Sequence, residues 1–191
     1  VFHADEKDQE LNREVIAERL DNQSLTQPQY NVPAEYFVDV YNMGIFRYEG
    51  LYIGLPAFFH HTGDVDENSD GFHRVQLTSS RDLRRWARLG EREPFIGPST
   101  IESGAYDLNG IMPPSKPILK DDALWFYYPG SRYRQEPSDA EPKRSVACLA
   151  VLRRDGFISL DAGESGGSVL TEAFLLPSDQ SKWSSSGSVF K

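Results

Sequence analysis

The chain has 191 residues, 39% hydrophobic and 26% charged, enough to bury a core and too apolar for a disordered chain. A formal net charge of −9 with no basic stripe argues against nucleic acid or an anionic membrane surface as partner, and no apolar stretch approaches the roughly 20 residues that span a bilayer. The lone Cys148, inside the apolar run 146–151, excludes an internal disulfide framework and a zinc–cysteine cluster and reads as a small buried hydrophobe.

Residues 1–36 read as a polar lead-in. Leu11, Val15, Ile16 and Leu20 fall at helical spacing, so 8–20 is expected to form a short amphipathic helix, followed by an Asn/Gln/Pro-rich loop over 21–33. The chain opens on Val1 rather than Met, so its true N-terminus is expected to be missing or processed.

From Tyr36 the apolar runs become short, aromatic and β-branched, with turn residues between them. The first group of expected strands is 44–47, 51–58, 73–79 and 86–89, with a turn at Tyr48-Glu49-Gly50 and a long polar loop over 62–71. The second group is 116–119, 124–128, 145–152 and 157–160, with a hairpin turn at Asp121-Asp122 and a long loop over 135–143. The two groups look alike. Leu51-Tyr52-Ile53 matches Leu124-Trp125-Phe126 at a spacing of 73, and Leu77 matches Leu149 at 72. A four-strand antiparallel unit used twice is the pattern of propeller blades; the alternative is two hairpin pairs of a β-sandwich. The reading is therefore all-β, with propeller blades over 37–162 and, over 163–191, a linker that could open a β-sandwich domain. A propeller needs at least four blades, so about two are present here and the rest are expected from residues outside this sequence or from another chain.

Three segments carry a family resemblance. Ser79-Ser80-Arg81-Asp82-Leu83-Arg84-Arg85-Trp86 with Pro94-Phe95-Ile96 resembles a turn of five-bladed β-propeller glycoside hydrolases, the arabinanase, levansucrase and invertase superfamily. Tyr106-Asp107, Pro113-Pro114, Pro117-Ile118 and 124–128 resemble its pattern of an Asp before an inner strand, then a proline-flanked strand and an aromatic hairpin. The run 152–162, with Gly167, Leu170, Thr171 and Phe174 after it, is similar to the last blade and following sandwich of bacterial glycoside-hydrolase-like proteins. The resemblance covers about 39–174 and implies action on a poly- or oligosaccharide. A secreted or periplasmic location is expected over a cytoplasmic one.

Glycoside hydrolysis needs two carboxyl groups across the scissile bond. Asp107 fits the family's inner-strand Asp, which tunes the acid and orients the sugar; the other reading is a turn-capping Asp. Asp39, just before the first expected strand, and Glu102, in a Gly/Ser-rich loop, are the other candidate catalytic carboxylates. Tyr41, Asn42, His60, His61 and Tyr106 are candidate sugar contacts. His60 and His61, at the end of the second strand, face opposite ways, so at most one serves a given site. No E-G-P setting for an acid is present, so catalysis stays open against a non-catalytic carbohydrate-binding propeller or a structural fragment. No cofactor or metal is expected: Asp64, Asp66, Asn68 and Asp70 alternate, but Gly71 is out of place for a calcium loop.

Overall fold

The computed structural model describes residues 4–8, 38–65, 68–100, 103–132, 145–164 and 166–170, with backbone alone for 61–65 and 68–70. Most of the expected helix over 8–20 and the loop over 135–143 lie outside the described residues; residues 6–8 form a helical turn. Contacts divide the chain into Val1–Ile158 and Ser159–Lys191. The fold is all-β. Among the described residues there are two antiparallel sheets, which we call the first and the second.

The first sheet holds β1 (Val38–Tyr48), β2 (Leu51–Val65), β3 (Asn68–Val75), β4 (Thr78–Ser80) and β5 (Ala87–Arg88). β2 is central. β1 lies along one side of it, and β3 and β4 share the other as one strand interrupted at Gln76-Leu77. The β1–β2 turn has Glu49 at φ 43° and Gly50 at φ 83°, the two left-handed residues of a type I′ turn. The expected loop over 62–71 is instead the end of a hairpin, because β2 and β3 stay paired as far as Val65 and Asn68. Backbone pairing does not depend on the polarity of the side chains it carries.

The second sheet holds β6 (Gly110–Ile111), β7 (Ile118–Lys120), β8 (Ala123–Ser131) and β9 (Ser145–Arg153). β6 and β7 share one side of β8, and β9 takes the other. Asp121 and Asp122, both at positive φ, form the second hairpin turn. The expected fourth strand over 157–160 is absent; Phe157 packs against Phe46, Phe95 and Phe126 instead.

The two sheets repeat pair for pair at 72 residues. Phe46 pairs Ile53 as Ile118 pairs Trp125, Ile53 pairs Ser79 as Trp125 pairs Val151, and Ala57 pairs Val75 as Pro129 pairs Ala147. The spacing of 73 read from Leu51-Tyr52-Ile53 is therefore corrected: Ile53 corresponds to Trp125, not Phe126. A one-residue slip sends every side chain to the other face, so the correction decides what each face does.

The core lies between the sheets. Phe46, Ile53, Leu55, Ala57, Val75 and Leu77 of the first face Ile111, Leu124, Phe126 and Tyr128 of the second. Phe95 closes edge-on against Phe126 at 5.6 Å, so the Pro94-Phe95-Ile96 motif serves packing. Trp86 covers Gly54 on the far face of the first sheet, where an added Cβ would lie 2.7 Å from the indole. On that face Arg88 sits 4.4 Å over the Phe58 ring and is held by buried Asp8 and by Gln76.

Candidate functional site

At the end of the first sheet away from its tight turn, Asp39, Phe59 and His73 stand opposite one another across β1, β2 and β3, so their side chains share one face. It is the face that looks to the second sheet, because Ala57 and Val75, two residues along, lie in the inter-sheet core. A bulge between Val40 and Asn42 puts Tyr41 out of the pairing. Its ring is 60% exposed, yet it is braced edge-on against His73 at 5.0 Å and against Phe59 at 6.2 Å. Asp39 and Asn42 are exposed on either side of it. The Asn42 amide reaches Met112 Sδ at 3.7 Å, across to the second sheet's leading segment. Asp39 thus lies inside β1, not before it.

The second sheet brings its own carboxylate to this end. The His73 N–H donates to the Asn109 carbonyl at 3.1 Å, and the Asn109 N–H donates to Ser131 at 3.0 Å. Asp107, two residues earlier, is buried with 7% exposure and accepts a 2.6 Å hydrogen bond from the Tyr128 hydroxyl. Burial first, and then the Asp107 carboxylate, pushes the Tyr128 phenol well above its ordinary range. Burial and the same negative charge raise the Cys148 thiol. Gly130 lets these groups meet, since a Cβ there would fall 2.7 Å from Cys148 Sγ and 2.8 Å from Asp107 Cβ. Tyr106 lies beneath the Arg132 guanidinium at 4.4 Å. Arg132 also donates to the carbonyls of Ala105 and Gly104, clamping the loop that delivers Asp107.

Asp39, Tyr41 and Asn42 are thus gathered at one end of the first sheet, and Tyr106 and Asp107 lie on the segment leading into the second, which meets the first through Asn109 and His73. His60 is not part of the group. It is buried on the opposite face of β2, stacked on Phe72 at 5.1 Å, and neither it nor His61 ends the strand, which runs on to Val65. The side chain of His61 and all of Glu102 lie outside the described residues. Among the described residues no group of three His, Cys, Asp or Glu side chains could hold a metal ion. His73, Tyr128 and Arg132 are the members that sequence reasoning missed. His73 is three residues before Gln76 in a short strand, and only the β2–β3 pairing places it under Tyr41. A separate cleft of about 490 Å³ lies at the hairpin end between β1 and β7, lined by Phe46, Arg47, Lys116 and Leu124, and contains none of these residues.

No protein-family model and no curated protein matches the chain. Two solved structures are similar to it. One is described as a complex of BT0996 with RGII, with a TM-score of 0.41 and 16% identity; the other is described as a glycoside hydrolase, with a TM-score of 0.40 and 17% identity. Each match covers 71% of this chain and 40% of the other, so the chain spans well under half the length of either.

Proposed function

We propose that this is a glycoside-hydrolase-like carbohydrate-binding protein whose site is the junction of Asp39, Tyr41, Asn42, Tyr106 and Asp107. The observation that carries the reading is Tyr41. An aromatic ring that is solvent-exposed yet fixed by two other rings offers a flat π-face to the C–H face of a sugar. Asp39 and Asn42 beside it can accept and donate hydrogen bonds to hydroxyls. A neutral ligand of this kind suits an acidic chain.

For hydrolysis, Asp39 is the carboxylate open to a sugar and Asp107 is its partner, held in place by Tyr128. The spacing of such a pair sets retention or inversion. The burial of Asp107 favours one second reading, a site that binds sugar without cleaving it, with Asp107 serving the loop's structure. The fold reading that goes with this is a five-bladed propeller of which the two sheets are successive blades. It is supported by the four rows of the first sheet and by the 72-residue register shared by both.

A screen of plant and microbial oligosaccharides for release of reducing ends separates the two. The hydrolase reading expects turnover that is lost in both Asp39→Asn and Asp107→Asn while binding survives. Binding without turnover in the wild type contradicts hydrolysis and leaves the binding reading.

A further inference from the structure

The 72-residue register gives each position of the first sheet a counterpart in the second. The residues by which the first sheet buries itself on the second are Phe46, Ile53, Leu55 and Leu77, each at most 8% exposed. Their counterparts are Ile118, Trp125, Tyr127 and Leu149. They form one face of the second sheet and point away from the first, because Leu124, Phe126 and Tyr128, which alternate with them, face the core. That face is open: Ile118 is 56%, Tyr127 51%, Leu149 41% and Val151 57% exposed. The stack is thus asymmetric. The far face of the first sheet is closed, with Phe58 and Phe72 fully buried and Arg88 laid over Phe58. The far face of the second repeats the buried side of an existing interface; among the described residues Lys120, from β7 of the same sheet, lies over Trp125 at 4.3 Å, and Ile118, Tyr127, Leu149 and Val151 stay exposed.

We propose that this face, centred on Trp125, Tyr127, Leu149 and Val151, is the docking surface for a third antiparallel sheet of the same repeat, borne by the same polypeptide. Sheets joined in series with one sense of stacking present the same face to each successor, and an interface already made once specifies the next. The occupant presents a row of bulky apolar side chains at the positions of Leu124, Phe126 and Tyr128. It also brings a linker that closes the outer edge of β9. In the first sheet that edge is closed at Val75, whose N–H donates to Ile96 at 2.9 Å and whose carbonyl accepts from Phe95 at 2.7 Å. The counterpart of Val75 is Ala147. The Pro129 carbonyl opposite it accepts from the Met112 N–H at 3.2 Å, on the side away from β9, and Ala147 is exposed, so the Ala147 amide faces the outer edge as a donor for an incoming linker. The aliphatic members Ile118, Leu149 and Val151 favour a sheet over a sugar, for which Trp125 and Tyr127 alone would serve. The inference rests on the propeller reading, and its test involves no sugar.

The test appends a second copy of residues 89–158 to the full chain as the third unit. The expected result is amide exchange at Ala147 of the first copy slowed at least about tenfold, with Trp125 emission shifted to the blue. Tyr127→Lys with Val151→Lys in the first copy reverses both, while the same pair in the unextended chain leaves it folded. Trp125→Ile with Tyr127→Leu, which restores the first sheet's residues, keeps the appended unit docked and guards against a mere misfit of size. Unchanged Ala147 exchange in both extended proteins overturns the proposal. So does a dimer of the unextended chain abolished by Tyr127→Lys, which assigns the face to a second copy. A Trp125 emission change on adding soluble polysaccharide to the unextended chain assigns it to sugar and overturns the proposal likewise.

Discussion

The Tyr128 hydroxyl donates to Asp107 Oδ2 at 2.6 Å in a buried setting, joining the centre of β8 to the loop that leads into β6. Tyr128→Phe leaves the carboxylate buried with that bond gone. Hydrogen bonds to charged groups contribute about 1.5–3 kcal/mol, so a loss of this size is expected in urea unfolding. Asp107→Asn keeps an acceptor and is expected to lose less. An equal loss in both variants would mean that the charge, not the hydrogen bond, is what Tyr128 serves.

At Gly44 the first sheet lies close against the segment between β6 and β7. A Cβ there would fall 2.1 Å from the Pro114 carbonyl oxygen, and backbone cannot swing aside as a flexible side chain can. Gly44→Ala therefore forces that segment off the first sheet. A loss of roughly 2–4 kcal/mol is expected by urea unfolding, on the scale of overpacked cores. Gly50→Ala, with open space around it, is expected to lose less, from its positive φ alone.

Equivalent positions in the repeat are expected to respond unequally. Leu55 is fully buried and its counterpart Tyr127 is 51% exposed. Leu55→Ala removes about 2–5 kcal/mol of stability, whereas Tyr127→Ala in this chain stays within about 1 kcal/mol. Similar losses at both would refute the 72-residue register.

That register shows what the sequence made legible. The strands stood out because aromatic and β-branched runs were separated by turn residues, and both hairpins fell where Glu49-Gly50 and Asp121-Asp122 placed them. The register stood out only in part: Leu77 against Leu149 gives 72, but Leu-Tyr-Ile and Leu-Trp-Phe look alike by residue type and suggest 73, while pairing is set by the turns. Aligning Glu49 with Asp121 gives 72 directly. The polar run 62–71 read as a loop because its side chains are hydrophilic, yet pairing there runs through the backbone. His60 was grouped with the site by its place in the chain; alternation along β2 sends it to the opposite face from Asp39. Asp39 is expected just before the first strand and lies inside it, and the bulge that exposes Tyr41 has no signature in the sequence.

The N-terminal segment is tied to the first sheet by charge. Asp5 pairs with Arg92, and Asp8 with Arg88. The hydrogen bond from Arg92 holds the Asp5 carboxyl at about 2, below its ordinary 3.8. A carboxyl lowered on folding adds stability above its unfolded value and loses it as pH falls from about 4 to 2. Asp5 is 47% exposed, so solvent screening leaves about 1 kcal/mol or less. Urea midpoints of wild type and Arg92→Gln are expected to differ at pH 6 and to converge towards pH 2. A gap that persists at pH 2 would show that Arg92 acts through packing.

The most direct measurement is calorimetric binding of a panel of plant and microbial oligosaccharides to the wild type, to Tyr41→Ala and to Tyr127→Ala. The account predicts binding by the wild type that falls at least about tenfold in Tyr41→Ala, because the stacking platform is gone, and that Tyr127→Ala on the far face leaves unchanged. Binding undiminished in Tyr41→Ala, or no binding of any member of the panel by the folded wild type, would contradict it.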